Sequence, residues 1–104
     1  YKNQFAIAVC PADIESPTVL AAQTANELLD ISGINASFVL TVYQEKIYMS
    51  ARSIDEVNVQ IIAEKLGGGG HINSAGAQFD HTNMEEAIST LKETIDDMIE
   101  KGDI

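Results

Sequence analysis

The hydrophobic pattern predicts a strand followed by a helix in the first third of the chain. Residues 4–10 alternate and then become apolar, which is typical of a central strand, and Pro11 ends the segment. Ser16 and Pro17 are the residue types of an N-cap and a first helical position. A helix is therefore predicted over 17–31, with one side formed by Leu20, Thr24, Leu28 and Ile31.

Two further apolar runs predict a β-hairpin in the middle of the chain. Segments 34–44 and 46–53 are rich in Phe, Val, Tyr and Ile, and only the polar pair Gln44 and Glu45 separates them. Gln44 and Glu45 lack the Asn-Gly signal of the primed turn types. The sequence therefore predicts that the two strands pair more firmly than it predicts which residues lie opposite each other. A last, short strand of small residues is predicted over 74–79.

Ser/Thr-x-x-Glu spacings mark the starts of two more helices. Ser53 and Glu56 have the spacing of a capping box before a second helix of about ten residues. This helix is predicted to end at Gly67, which would supply the left-handed residue at its C-terminus. Thr82 and Glu85 repeat the spacing before the last helix. The buried stripe of that helix is predicted to comprise Ala87, Ile88, Leu91, Ile95, Met98 and Ile99, with its acidic residues in solvent.

The element order β-α-β-β-α-β-α predicts an α/β (α+β) fold, a mixed β-sheet with helices packed against it. A chain of 104 residues is the size of one domain, here 1–104. At 45% hydrophobic residues it has the composition of a globular domain, and its apolar runs are far too short to cross a bilayer. Because it opens with Tyr1 and enters a strand at once, we expect it to be part of a longer protein.

The charge of the chain limits the ligands it can hold. Sixteen acidic and six basic residues give a formal charge of −10, which argues against nonspecific binding of duplex nucleic acid. Any anionic ligand must therefore be held locally. The single Cys10 cannot form an internal disulfide, and its apolar neighbours predict a small buried side chain.

The segment LGGGGHINSAGAQF, residues 66–79, concentrates four of the seven glycines in front of a histidine. Such a stretch is either a slack connection or a surface that something approaches closely. The dinucleotide-binding and P-loop motifs do not fit, because there the glycines follow a strand and open a helix. A metal site is not favoured either, since Asp80 and His81 form the only nearby pair of ligand types.

The remaining interpretation is a local anion site. Backbone amides of the glycines can face an anion at close range, and the imidazole of His71 can donate to the same oxygens. Arg52, at the end of a predicted strand, is the natural counterpart because a guanidinium forks onto phosphate oxygens. Taken singly, Arg52 is better explained by a surface ion pair and His71 by a satisfied loop residue, but together with the glycines they favour the anion site. No serine has the setting of a catalytic nucleophile.

These residues carry a resemblance to a known family. The segments YMSARS and NVQIIAEKLGGGGHINSAGAQF resemble the C-terminal domain associated with DHH-family phosphoesterases, whose hallmark is a GGGH loop followed by an Ala-Gly pair. The similarity runs in order over most of the chain. The extra glycine and the INSAGAQ continuation are most similar to the membrane-tethered bacterial branch that hydrolyses cyclic di-AMP to linear pApA. The alternative within the family is the soluble branch of oligoribonucleases that also dephosphorylate adenosine bisphosphate.

The resemblance implies a division of labour. In the family, a preceding DHH domain, absent here, holds two manganese ions that activate water, and the C-terminal domain grips the substrate. The fragment alone would be inactive and hold no metal. The implied partners are a cyclic dinucleotide or short oligonucleotide and the catalytic DHH domain, with a homodimer left open. The implied location is the cytoplasmic side of a bacterial membrane or, alternatively, the cytoplasm. The substrate-binding residues implied are Arg52, Ser53, Gly68, Gly69, Gly70 and His71.

Two features stay open at this point. Asn58 also matches a family position, but at the start of a helix it could equally serve as a cap, and Ser74 stands where the family pattern usually has alanine. A function of another class, a non-catalytic nucleotide-binding or interaction module with the glycines as a hinge, is also consistent with the sequence.

Overall fold

The computed structural model describes residues 4–10, 17–31 and 33–104, which form a mixed sheet with helices on both faces. The predicted α+β class is confirmed. Pro11 and Ser16, predicted to end the first strand and to cap the first helix, lie outside the described residues. In chain order the elements are β1 (Phe5–Val9), α1 (Pro17–Leu29), β2 (Ala36–Tyr43), β3 (Lys46–Ser53), α2 (Val59–Lys65), β4 (Gly69–His71), β5 (Ser74–Phe79) and α3 (Met84–Lys101).

The five strands lie in the order β1-β2-β3-β5-β4. β1 and β2 are parallel and joined through α1, whereas all other neighbours are antiparallel. The predicted order lacked β4, which is formed by Gly69–His71 and pairs with the start of β5. Glycine is depleted in strands, so the sequence pattern gave no strand signal there. Part of the glycine segment is thus an ordered edge strand.

One face of the sheet packs on α2 and α3 and forms the main core. Phe5 and Phe38 anchor it from the sheet, with ring centroids 5.9 Å apart. From α3, four residues of the predicted stripe are fully buried and Ile88 and Ile99 pack partly against them, which confirms the prediction. The four buried residues are Ala87, Leu91, Ile95 and Met98.

The other face carries α1, which lies close to β2. Ala21 and Ala25 are buried against Val39, and the hydroxyl of Ser37 donates to the carbonyl of Ala25 at 2.6 Å. Small side chains permit this approach, so the buried side of α1 centres on alanines, and the predicted Leu20 and Leu28 pack partly against them. Cys10 belongs to the same cluster, which confirms its predicted burial. The helix ends two residues earlier than predicted, and Ile31, expected on the buried side, is 54% exposed.

Asparagines, not the predicted Ser and Thr, cap the later helices. Asn58 accepts hydrogen bonds from two amides of the first turn of α2, which has 7 residues because it starts after Asn58. Ser53 instead lies on β3. Asn83 caps α3 by accepting from the Glu86 amide, while Thr82 donates to the Glu86 carboxylate at 2.8 Å. Among the described helices, none combines the length and apolarity needed to cross a bilayer.

The turn between β2 and β3 departs from expectation. Gln44 and Glu45 connect Tyr43 to its partner Lys46, and both turn residues have positive φ, 51° and 66°. Positive φ at both central positions is the signature of a type I′ turn, which matches the twist of the flanking strands. The hairpin therefore adopts a primed turn with residues that do not favour it.

We expect the double substitution Gln44→Asn, Glu45→Gly to stabilise the chain by about 1 kcal/mol, because a left-handed conformation costs about 1–2 kcal/mol per ordinary residue and glycine avoids it. Urea unfolding of the variant and of the unsubstituted chain measures the difference. An unchanged or lower free energy of unfolding would contradict the type I′ assignment.

Candidate anion-binding face

Side chains alternate between the two faces of each strand, and residues paired across neighbouring strands share a face. Arg52 pairs with Ser37 of β2, whose hydroxyl binds α1, so Arg52 lies on the α1 side of the sheet. α1 packs on β2 and reaches β3, and β5 and β4 continue the same face beyond it. We call this region the open face; it comprises Tyr48, Ser50, Arg52, Gly69, His71, Ser74, Gly76 and Gln78.

Three polar residues form one row across the open face. Arg52 pairs with Ser74, and Ser74 pairs with His71. With strands about 4.8 Å apart, the backbones of Arg52 and His71 are separated by about 10 Å, a distance that their side chains can bridge toward one ligand. His71 and Ser74 are exposed and Arg52 is half-buried. The structure thus brings the two predicted anion-binding side chains together on one face.

The Arg52 guanidinium contacts its own strand and not a carboxylate of the described residues. One guanidinium N–H donates to the Ala51 carbonyl at 2.8 Å. Across the described residues, no acidic side chain forms an ion pair with it. With no ion pair to the part of the chain that the structure describes, Arg52 has guanidinium donors for an anion.

Ser53 lies on the opposite face from its neighbour Arg52. It is 6% exposed, and its hydroxyl donates to the Val57 carbonyl and accepts from the side-chain amide of Asn73 at 2.9 Å. This corrects the predicted pairing of Arg52 with Ser53 at a ligand, because adjacent strand residues point to opposite sides. Ser53 therefore supports the site from the core side of the sheet.

This support extends to the turn that follows His71. The Asn73 side-chain amide also donates to the Asp55 carbonyl at 3.1 Å, and the main-chain carbonyl of Asn73 accepts from the Ser53 amide at 3.1 Å. The Ile72 carbonyl accepts from the first amide of α2 at 2.9 Å. These hydrogen bonds hold the β4–β5 turn against the β3–α2 connection. Sequence reasoning missed Asn73, because β4, the strand that makes its segment a two-residue turn, was itself not predicted.

The first two of the four glycines serve the chain itself. Gly67 has φ of 90° and closes α2 as predicted, and its amide donates to the Glu64 carbonyl. The Gly68 amide donates to the Ala63 carbonyl at 2.8 Å, which completes a Schellman motif. A Cβ at Gly68 would lie 2.0 Å from the Gly76 carbonyl oxygen. The Gly68 amide is therefore not free for a ligand, contrary to its predicted role.

Gly70 and Gly69 differ in why they lack a side chain. Gly70 has φ of 144°, and a Cβ there would lie 2.5 Å from the Ala75 Cα. Gly69 has no positive φ, and a Cβ there would meet nothing within 4 Å. Gly69 lies on the open face opposite Gly76. Among the described residues, no atom would contact a Cβ at this position. Of the four glycines, Gly69 is therefore the one whose missing side chain is best explained by a ligand that approaches from outside.

The largest cavity described is elsewhere and has the wrong charge for an anion. It measures about 620 Å³ and contains two carboxylates and no cation. Within the described part of the chain, no three His, Cys, Asp or Glu side chains are placed to hold a metal ion. We therefore place the candidate site on the open face. The cavity is lined by Asn35, Ile54, Asp55, Glu56, Val57 and Ile104.

Comparison with known proteins identifies the family of the chain. The family model described as the DHHA1 domain matches residues 2–100. A cyclic-di-AMP phosphodiesterase, PdeA, of Listeria monocytogenes is 44% identical over 97 residues, which is 92% of this chain and 15% of that protein. The cyclic-di-AMP phosphodiesterase GdpP of Bacillus subtilis is also 44% identical, over 98% of this chain and 16% of its own length. An exopolyphosphatase-related protein from Bacteroides fragilis superposes with a TM-score of 0.76 at 24% identity, over 94% of this chain and 30% of that one.

The glycines should respond differently to alanine. We expect Gly69→Ala to fold with nearly unchanged stability, because the new methyl group meets open space. Gly70→Ala should lose about 2 kcal/mol or more, since a conformation reserved for glycine costs about 1–3 kcal/mol and the Cβ also overlaps β5. Thermal unfolding of both variants measures the contrast, and equal losses would contradict the assigned roles.

A second pair of variants separates the structural role of Ser53 from the proposed binding role of Arg52. Ser53→Ala should lower the free energy of unfolding by about 1–2 kcal/mol, because it leaves buried partners of the hydroxyl unsatisfied. Arg52→Ala, which removes one exposed-side hydrogen bond, should cost less than half as much. Denaturant unfolding of the two variants measures both values. A larger loss for Arg52→Ala would overturn the division between the two faces.

Proposed function

The chain belongs to the DHHA1 domain family, and from this premise we propose that it is the substrate-binding domain of a phosphodiesterase that hydrolyses cyclic di-AMP to linear pApA. The observation that carries the proposal is the row of Arg52, Ser74 and His71 beside Gly69 on the open face. A guanidinium without an ion pair among the described residues and an exposed imidazole lie on one row there, beside the bare Gly69 of β4. Such a set suits a phosphate oxygen.

Each group has its own task in this proposal. The Arg52 guanidinium holds a phosphate of the substrate, and the His71 imidazole donates a hydrogen bond to the phosphate under attack. Gly69 lets the phosphate approach the backbone, and Gly70 gives β4 its path along β5. Ser53 and Asn73 act as positioning residues, because their hydrogen bonds fix the turn next to His71.

The chemical step belongs outside this chain. The family resemblance assigns two manganese ions to a DHH domain, which would hold them and supply the activated water. The chain spans about one seventh of the curated relatives it matches, which leaves ample length for such a domain in a protein of their size. In this proposal the protein is anchored in the bacterial membrane and the DHHA1 domain lies in the cytoplasm.

The isolated chain should bind its ligand weakly, because it supplies only part of the contacts. We expect a dissociation constant no tighter than about millimolar for cyclic di-AMP, with far tighter binding by the full-length protein. Tight binding of a nucleotide by the chain alone would favour the non-catalytic module instead. Preferred cleavage of short RNAs by the full-length protein would favour the oligoribonuclease branch.

The role of His71 is tested in the full-length protein with manganese and cyclic di-AMP. His71→Ala should lower kcat/KM by about 30- to 1,000-fold, the range of about 2–4 kcal/mol seen when one donor to a transition-state oxygen is removed. Arg52→Ala should raise KM strongly, since it removes a phosphate clamp.

The chain offers matched controls for both variants. His81→Ala removes the other histidine, which follows β5 at the far end of the sheet, and Lys65→Ala removes an exposed cation at the end of α2. Both should retain activity close to that of the unsubstituted protein. Wild-type turnover by His71→Ala, or equal losses for His71→Ala and His81→Ala, would discard the assignment.

A further inference from the structure

The open face continues beyond the anion-binding row along β3 and β5. Ser50 pairs with Gly76, and in the next row Tyr48 pairs with Gln78. Each row is two residues further along the strands, so the Tyr48 row lies about 13 Å from the Arg52 row. This length is comparable with that of an extended nucleotide from its phosphate to the far edge of its base.

The middle row, Ser50 and Gly76, has very little side-chain volume between these two ends. Ser50 is small and Gly76 has no side chain. A Cβ at Gly76 would lie 2.9 Å from the Met49 carbonyl oxygen, so the close pairing of β5 with β3 keeps this position bare. The face is therefore a shallow trough, with charged donors at one end and larger side chains at the other.

The far end of the trough presents an aromatic ring. Tyr48 is half-buried, and its ring lies against that of Tyr43, with centroids 6.3 Å apart and planes inclined by 57°. This contact restrains the ring and offers a flat apolar surface. Stacking on such a ring is a common means of binding a nucleobase without adding charge.

Beside the ring lies an amide whose orientation is fixed. The Gln78 side-chain nitrogen donates to the Asp80 carboxylate at 2.7 Å. Because a carboxylate accepts and does not donate, the amide nitrogen faces Asp80, which leaves its second N–H and the Gln78 carbonyl oxygen for a ligand. That oxygen can accept from the exocyclic amine of adenine, whereas guanine presents an acceptor at the same position.

We propose that Tyr48 and Gln78 form a subsite for an adenine base of the substrate, Tyr48 by stacking and Gln78 by accepting from the adenine amine. This subsite rests on the proposed function, because its place is measured from the phosphate held at Arg52 and His71. It makes the far end of the trough the part that distinguishes adenine from guanine dinucleotides.

The test compares substrates with and without a base in the full-length protein. Tyr48→Ala should lower kcat/KM for cyclic di-AMP by about 10-fold or more, within the range known for loss of one stacked base, whereas Tyr48→Phe should retain it. For an analogue in which one adenine is replaced by hydrogen, Tyr48→Ala and the unsubstituted protein should differ much less. An equal loss on both substrates, or no loss on cyclic di-AMP, would overturn the subsite.

A second variant tests specificity without touching the core. Gln78 is exposed, so Gln78→Leu should fold normally, which a thermal melt checks. It should narrow the preference for cyclic di-AMP over cyclic di-GMP by about 5-fold or more, since a good base-edge contact is worth about 1–3 kcal/mol of discrimination. An unchanged preference would refute the role of Gln78.

Failure of this inference differs from failure of the proposed function. If the unsubstituted full-length protein does not hydrolyse cyclic di-AMP, the proposed function fails and the subsite fails with it. If hydrolysis occurs and depends on His71 but not on Tyr48 or Gln78, only the subsite is refuted.

Discussion

The two-residue period of β3 and β5 is the constraint on which the rest of the molecule depends. It sends apolar residues such as Met49 and Ala77 into the core and leaves Arg52 and Ser74 on the other side. A shift of one residue in the pairing would exchange these sets, burying a guanidinium and exposing the core. The same register that stabilises the fold therefore also creates the open face.

The sequence predicted the fold in outline because its apolar periodicity is strong. The prediction failed at helix caps and at β4, where single residues or a partner strand determine the structure. The α3 stripe and the closure of α2 at Gly67 were predicted correctly, since both follow from spacing. The capping boxes were wrong because Asn58 and Asn83 stand near Ser and Thr residues with equally suitable spacing, although a cap at Asn58 was one of the alternatives left open and is confirmed. β4 was missed because a Gly-Gly-His strand is held by its partner strand and not by its own propensity.

For the candidate site, the sequence predicted Arg52 and His71 as anion-binding residues, and the structure places them on one face. Ser53 was grouped with Arg52 by adjacency, which ignores the alternation of side chains along a strand. Asn73 was missed because its hydrogen bonds reach across 18 to 20 residues, a separation that no local pattern records. The roles of the four glycines likewise depend on which backbone lies opposite, which only the strand pairing reveals.

The close seating of α1 determines what kind of surface the domain presents. Because Ala25 accepts a hydrogen bond directly from Ser37, the backbone of α1 is held close to β2 on the side of the sheet that carries the open face. This bond ties the position of the helix to the register of the sheet. A change at Ser37 or Ala25 would therefore alter the border of the open face without touching any of its own residues.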